Sequence, residues 1–388
     1  MSDPVVRIAA RGDGVTSSGR HVAFGVPGDV IGDDGELVEG PDHVVPPCRH
    51  FPACGGCQLQ HVSDRAYATY CEERVRGALA QQGIETDTRP ALLSPPRSRR
   101  RATLRAVRAG GRILLGFNER GSATLVDLAE CPVLRPELFA LLSPLRALLA
   151  AMKGKAGEVQ LTLADQGVDL LLRGFAAEGL AAVEALTAFG ERHRLARIAL
   201  DEGYGAEVRY EPRPATATLS GKAVPLPVGA FLQATEEGEA ALVAAVREAV
   251  GTAPRTADLF AGIGTFAFAL GGKVAAAEAS RDAVLALKRA APGLAVEHRD
   301  LYRRPLDASE LGAYDAVVLD PPRAGAEAQV RELAGSGVPR IAYVSCNPAT
   351  FARDAAKLVA GGYRLAWVVP VGQFRWSTHV ELAAAFAR

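Results

Sequence analysis

Cys346 stands where the apolar run Ile341-Ala-Tyr-Val-Ser gives way to Asn347-Pro348. That position puts a thiol at the carboxyl end of a strand, in reach of a ligand crevice and of charges that can tune it. A buried structural thiol is the plain alternative for any single cysteine, and the strand-end position argues for a nucleophile instead. Asp320-Pro321-Pro322 closes the preceding apolar run in the same way. On the last strand-like segment, Ser377 to Phe386, His379 and Glu381 stand two residues apart and so share a face. Either is a candidate base beside the thiol, unless the pair belongs to a solvated strand face.

A thiol and a base at one sheet edge suit a reaction at a carbon that is a poor nucleophile on its own. Carbon 5 of uracil is such a centre. Addition of a thiolate at C6 makes an enolate whose C5 can accept a methyl group, and a base must then remove the C5 proton so that the thiol is expelled. Methylation of an exocyclic amino group is disfavoured because Arg323 follows the two prolines where those enzymes carry a stacking aromatic. RNA cytosine-C5 chemistry is disfavoured because the segment around Asp320 has no second cysteine.

The methyl donor has a candidate site in Asp258-Leu-Phe260-Ala-Gly262-Ile-Gly264-Thr265-Phe, which ends one apolar run and is expected to open a helix. Gly262 and Gly264 allow a tight turn and close approach of a ligand to the backbone, and a helix N-terminus favours a carboxylate. A G-x-G after a strand is shared with NAD enzymes and with plain turns. The acids that follow separate these readings. Glu278, Asp300 and Asp320 each close a successive strand-like run. Such a series fits an adenosine laid across the strand ends, and a cationic sulfonium tolerates neighbouring acids better than a pyrophosphate does.

These residues must be positioned by a larger framework. At 388 residues the chain is long enough for two or three domains. Residues 1–42 hold short β-type runs between glycine turns, which read as part of a small barrel. From 43 to 230, strand-like runs mix with helical stretches near 135–152 and 176–190, and Ser63 and Gly83 bracket a further helix; this is an α+β pattern. From 231 to 388, apolar strands alternate with helices, the pattern of a Rossmann-like α/β domain with a largely parallel sheet. No stretch approaches the roughly 20 apolar residues that span a bilayer, and the N-terminus lacks a signal-peptide core, so the cytoplasm is the expected compartment, with no membrane partner.

Two further features carry meaning beyond the catalytic residues. Cys48, Cys54 and Cys57 are close in sequence and Cys131 is remote, a four-thiolate set that either zinc or an iron-sulfur cluster would accept. Formal net charge is zero, yet Arg97 to Arg112 holds seven arginines and no acid, the footprint of a surface that tracks phosphates, or else a solvated face.

The combination CRHFPACGGCQLQH (48–61), LGFNERGSATLVDLAECPVL (115–134), FLQ (231–233), DLFAGIGTF, LDPPRAG (319–325), VSCNPATFARD (344–354) and HVELAAAF resembles the RNA uridine-5-methyltransferase family, in its iron-sulfur branch acting on 23S rRNA. The resemblance spans almost the whole chain. It implies S-adenosyl-L-methionine as methyl donor, Cys346 as nucleophile and Glu381 as proton-abstracting base. It further implies Gln233, Phe260, Thr265, Glu278, Asp300 and Asp320 as cofactor-binding positions, beside Gly262 and Gly264, and Cys48, Cys54, Cys57 and Cys131 as ligands of a 4Fe-4S cluster. In its terms residues 1–42 are a shortened TRAM-like RNA-binding segment, 43–230 the central domain with the cluster, and 231–388 the class I methyltransferase domain. The implied partner is RNA, 23S rRNA foremost with tRNA as the alternative; no obligate protein partner is evident. Two positions depart from the family pattern: Thr235 where Asn is usual, and Arg375 where proline is usual.

Overall fold

The computed structural model describes residues 2–388. By internal contacts the chain divides into two units, one of Met1–Pro46, Gln58–Ser94 and Glu237–Arg388, the other of Pro47–Cys57 and Pro95–Glu236.

The first unit is built on a mixed sheet whose main strands are β1 (Arg255–Leu259), β2 (Lys273–Glu278), β3 (Ala295–His298), β4 (Ala316–Leu319), β5 (Arg340–Ser345), β6 (Arg364–Gly372) and β7 (Glu381–Ala387). Their order is β3-β2-β1-β4-β5-β7-β6, parallel except for β7, with two short strands, Asp87–Thr88 and Leu92–Leu93, added beside β6. The central strands β4 and β5 are apolar nearly throughout because helices cover both faces. Chain order reverses at β1, which has β2 on one side and β4 on the other, and ligand crevices open at such switch points.

Helix Asp64–Ala80 begins as the sequence suggests. Ser63 Oγ accepts from the Ala66 N–H, a cap worth about 1 kcal/mol, and Gly83 follows its end at φ 69°. Its buried Tyr67, Tyr70, Cys71, Val75 and Leu79 join the core beneath the sheet. The Tyr67 hydroxyl donates to the Phe374 and Ser377 carbonyls at 3.1 and 3.0 Å, so this helix fixes the loop that leads into β7.

Residues 3–38 form five antiparallel strands, more than the segment's length suggests, because each is only two to six residues long. Gly14 makes the tight curl possible: a Cβ there would lie 2.7 Å from the Gly25 backbone. Buried Asp29 stitches the segment by accepting from the Val26 and Gly40 N–H groups and pairing with His43.

The second unit is a seven-stranded sheet of 125–127, 112–118, 101–109, 156–164, 167–173, 197–201 and 206–210, antiparallel apart from the 167–173 and 197–201 pair. Helices Leu142–Ala151 and Leu180–Arg192 close over its leucine-rich face. Buried Arg197 is held by Asp169 at 2.7 and 2.9 Å and by the Leu226 carbonyl at 2.9 Å.

Candidate active site at the carboxyl edge of the sheet

Strand register brings the expected residues of the first unit to one edge. Leu259 pairs with Ala277 and with Leu319, so Phe260, Glu278 and Asp320 follow at one level. Glu278 pairs with His298, and Asp300 lies two residues on. Ser345 pairs with Leu382, which sets Cys346 opposite Glu381 across an antiparallel step. Residues scattered over 120 positions of sequence thus meet because each ends, or in β7 begins, a strand.

The glycine segment differs from the sequence expectation. Residues 262–269 form a run of turns rather than a regular helix, with bonds from Gly264 N–H to Ala261 O and from Phe268 N–H to Gly264 O. The cause is local: Gly262 and Gly264 sit at φ 54° and 100°, and the Gly271-Gly272 pair ends the segment before a helix can establish itself. A helix N-terminus therefore contributes no anion site here. Instead Glu278 organises the turn, its Oε2 accepting from the Gly262 N–H at 2.9 Å and its Oε1 from the Ser280 N–H at 2.6 Å. Each oxygen keeps a second lone pair, so the carboxylate still offers acceptors to a hydroxyl. Thr265 is half-buried within the same run of turns. Phe260, at φ 63°, holds its ring 5.6 Å from that of Tyr302, and Asp300 Oδ1 accepts from the Tyr302 N–H at 3.0 Å.

Acids crowd the floor of this edge. Asp258 is fully buried and pushed up to about 8, by burial first and by the charge of Asp320 next. Asp320 is itself pushed up to about 7 by burial. Glu381, 4% exposed, is pushed up to about 8 by burial and then by Asp320, while a hydrogen bond from buried Gln373 and the charge of Arg323 oppose the rise. Cys346 is pushed up to about 11 by burial, then by Glu381; Arg323 opposes and Asp320 adds to the rise. A site in which carboxylates and a thiol raise one another is short of positive charge, and a bound cation would relieve them all.

His379 is not on β7 with Glu381, because that strand starts at Glu381 itself. The approach is taken up by a turn around Trp376 at φ 58°, whose carbonyl accepts from the Gln58 and Leu59 N–H groups. The strand-face argument for His379 as a base therefore fails. Arg323 Nη2 lies 2.8 Å from His379 Nδ1, a contact in which the ring nitrogen accepts. Arg375, where the family carries proline, donates to the Ser94 carbonyl at 3.0 Å, pairs with Asp64 and stacks over Trp376 at 4.7 Å, so it braces the same turn.

Gln233 lies in the second unit. It is buried, and its carbonyl accepts from Arg100 Nε at 3.1 Å. Cys48, Cys54, Cys57 and Cys131 also lie together in that unit. Burial raises Cys48, Cys54 and Cys131, and Cys131 raises the other two further through its charge. Arg99, lowered by burial, finds Cys57 and Cys131 as its negative neighbours. The Arg49 N–H donates to Glu130 and the Ala129 N–H to His50 Nε2, which tie the three-cysteine loop to the remote fourth. Among the described residues no group of three or more His, Cys, Asp or Glu side chains gathers closely enough to hold a metal ion.

Part of the arginine run is structural. On strand 101–109 the buried positions alternate, and Arg108 turns back to bond the carbonyls of Leu149, Ala150, Met152 and Gly154 at the end of a helix. Arg100 is 6% exposed, and Arg101 stacks on Phe231 at 4.5 Å. Arg97, Arg105 and Arg112 remain exposed.

Sequence reasoning did not single out Arg323, Gln373 or Asp258, whose charges and hydrogen bonds act on the groups of this edge. Only Asp258 carried a local signal, an acid inside an apolar run. No helix among the described residues is long and apolar enough to cross a membrane.

Known proteins place this edge in context. The tRNA (Uracil-5-)-methyltransferase family profile matches residues 293–388. An uncharacterized RNA methyltransferase of Zymomonas mobilis is 49% identical over 393 residues, 99% of each chain. A 23S rRNA (uracil(1939)-C(5))-methyltransferase of Halomonas elongata is 38% identical over 87% of this chain and 75% of its own. The Pyrococcus abyssi tRNA (uracil-54, C5)-methyltransferase, solved with S-adenosyl-L-homocysteine, shares the fold with a TM-score of 0.75 at 23% identity, covering 100% of this chain and 99% of that one. The chain belongs to the RNA uracil-C5-methyltransferase family, whose enzymes draw the methyl group from S-adenosylmethionine.

Proposed function

We propose that this S-adenosylmethionine-dependent RNA methyltransferase acts in the cytoplasm on a uridine of 23S rRNA, with Cys346 as covalent nucleophile and Glu381 as the base. The supporting observation is the pairing of a thiol and a buried carboxyl across the β5–β7 step, at the edge where the acids converge.

S-adenosylmethionine supplies the methyl group on a cationic sulfonium, and the acid-rich edge of Asp258, Glu278, Asp320 and Glu381 suits that charge. Phe260, the Gly262–Thr265 turns, Glu278, Asp300 and Asp320 are the residues assigned to hold it; Gln233 is a cofactor position on the family resemblance alone. Cys346 gives its proton to water and adds to C6 of uracil, and the C5=C6 electron pair moves to make an enolate. Its C5 takes the methyl group as the methyl–sulfur bond breaks. Glu381 then removes the C5 proton; that electron pair restores C5=C6 and expels Cys346 as thiolate. Gln373 keeps Glu381 aimed while it waits.

Cys48, Cys54, Cys57 and Cys131 are assigned to a 4Fe-4S cluster. Half-buried Arg99, with Cys57 and Cys131 as its negative neighbours, suits ligands held as thiolates. Residues 1–42 are assigned to RNA contact as a TRAM-like segment, 43–230 to the cluster-bearing central domain and 231–388 to methyl transfer.

Mapping 5-methyluridine in ribosomal and transfer RNA from a strain lacking this protein tests the substrate. Loss of the mark from 23S rRNA, restored by the purified enzyme, is expected; loss confined to tRNA would transfer the assignment to that substrate.

A further inference from the structure

The loop after β4, residues 321–326, is held from outside by helix Pro348–Ala360 and its cap. Asn347 Nδ2 and Thr350 Oγ1 both donate to the Arg323 carbonyl at 3.1 Å. Arg353 Nη2 donates to the Ala324 carbonyl at 3.0 Å. Asp354, fully buried, accepts through Oδ2 from the Ala326 N–H and from the Tyr343 hydroxyl, each at 2.7 Å. Its Oδ1 accepts from Arg353 Nε at 3.0 Å and Nη2 at 2.8 Å. Gly325, at φ 81°, permits this approach: a Cβ there would sit 2.6 Å from Asp354 Oδ2 and 2.7 Å from Arg353 Nη2.

The clasp fixes where the Arg323 side chain leaves the loop, and that side chain ends on His379. Cys346 feels Glu381 from β7, Arg323 from this loop, Asp320 just before it, and Tyr302 from the segment after β3. Of these, Arg323 carries the positive charge.

We propose that Asp354 and Arg353 are positioning residues for methyl transfer, their clasp holding Arg323 where it faces Cys346 and Glu381. This rests on Cys346 being the nucleophile. A cation displaced by a single ångström loses much of its effect on a reacting centre, so a loosened loop costs rate rather than cofactor affinity.

The test is iodoacetamide alkylation of Cys346 across pH, read by peptide mass spectrometry in wild type, Arg323→Ala, Asp354→Asn and Arg353→Met. Turnover and titration with S-adenosylhomocysteine are measured alongside. Without Arg323 nearby the thiolate is less favoured, so the midpoint moves up. In both clasp variants it should rise by about half a unit or more, toward that of Arg323→Ala. Turnover should fall about tenfold, with KM for S-adenosylmethionine within about threefold of wild type. A purely structural role would lower turnover, or nothing, while leaving the midpoint of folded protein unchanged, and that result would overturn the proposal. Should Asp354→Asn fail to fold, Arg353→Met decides alone, since its side chain is 37% exposed and its loss is tolerable to the core. Alkylation needs no RNA, so a wrong nucleophile would show separately, as normal turnover of Cys346→Ala.

Discussion

The carboxyl edge around Cys346 and the arginine run 97–112 are both rich in chemistry-bearing side chains, and they differ in what the fold does with them. At the edge, six strand ends deliver acids and a thiol, and burial pushes Asp258, Asp320, Cys346 and Glu381 upward together. In the run, neighbours in sequence are scattered: Arg108 caps a helix, Arg100 bonds the Gln233 carbonyl, Arg101 covers Phe231, and Arg105 faces solvent. Convergence from distant positions marks a site, because the fold spends desolvation on it; local density of charge does not.

Substitutions should separate the two regions sharply. The largest effect belongs to Cys346→Ala, which should lower methyl transfer by about 10⁴-fold or more while affinity for S-adenosylhomocysteine stays within about threefold. Isothermal titration beside a turnover assay reads both, and turnover like wild type would dissolve the contrast.

Next come the cysteines of the second unit. Protein purified without oxygen should hold roughly four irons per chain and absorb broadly near 400 nm. Cys54→Ser or Cys131→Ser should lose that colour and lower the unit's melting temperature by several degrees. Zinc in place of iron would reassign the site.

The smallest effects lie in the arginine run. Arg100→Ala should destabilise the protein by about 1–3 kcal/mol, since it removes a buried hydrogen bond to the Gln233 carbonyl. Arg105→Ala should leave stability unchanged and reduce the salt slope of RNA binding by at most about 1. A large loss of RNA affinity in folded Arg100→Ala would return the run to the phosphate-tracking role.

Much of the edge was legible because each residue carried its own local mark: an apolar run that stops at Phe260, Glu278, Asp320 or Cys346 announces a strand end. The alternation of strands and helices from 231 onward, and the cap at Ser63, were readable for the same reason. What escaped depends on partners far away in sequence. The turns at 262–269 replaced a helix because two left-handed glycines and a Gly-Gly stop outweighed its apolar pattern. His379 fell outside β7 because the Trp376 turn, pinned from Gln58 and Leu59, decides where that strand begins. Asp354 carries no mark in the sequence, because its partners Tyr343 and Ala326 are 11 and 28 residues away.

The central claim, covalent catalysis by Cys346 with Glu381 as base, is tested most directly by Glu381→Gln with RNA and methyl-labelled S-adenosylmethionine. Glutamine keeps size and a hydrogen-bonding oxygen yet has no useful basicity, so addition and methyl transfer should proceed and elimination should stall. Denaturing gels should then show a slow-migrating protein–RNA band carrying the label, lost when Cys346→Ala is added to the same chain. Normal turnover by Glu381→Gln, with no trapped band, would contradict the account.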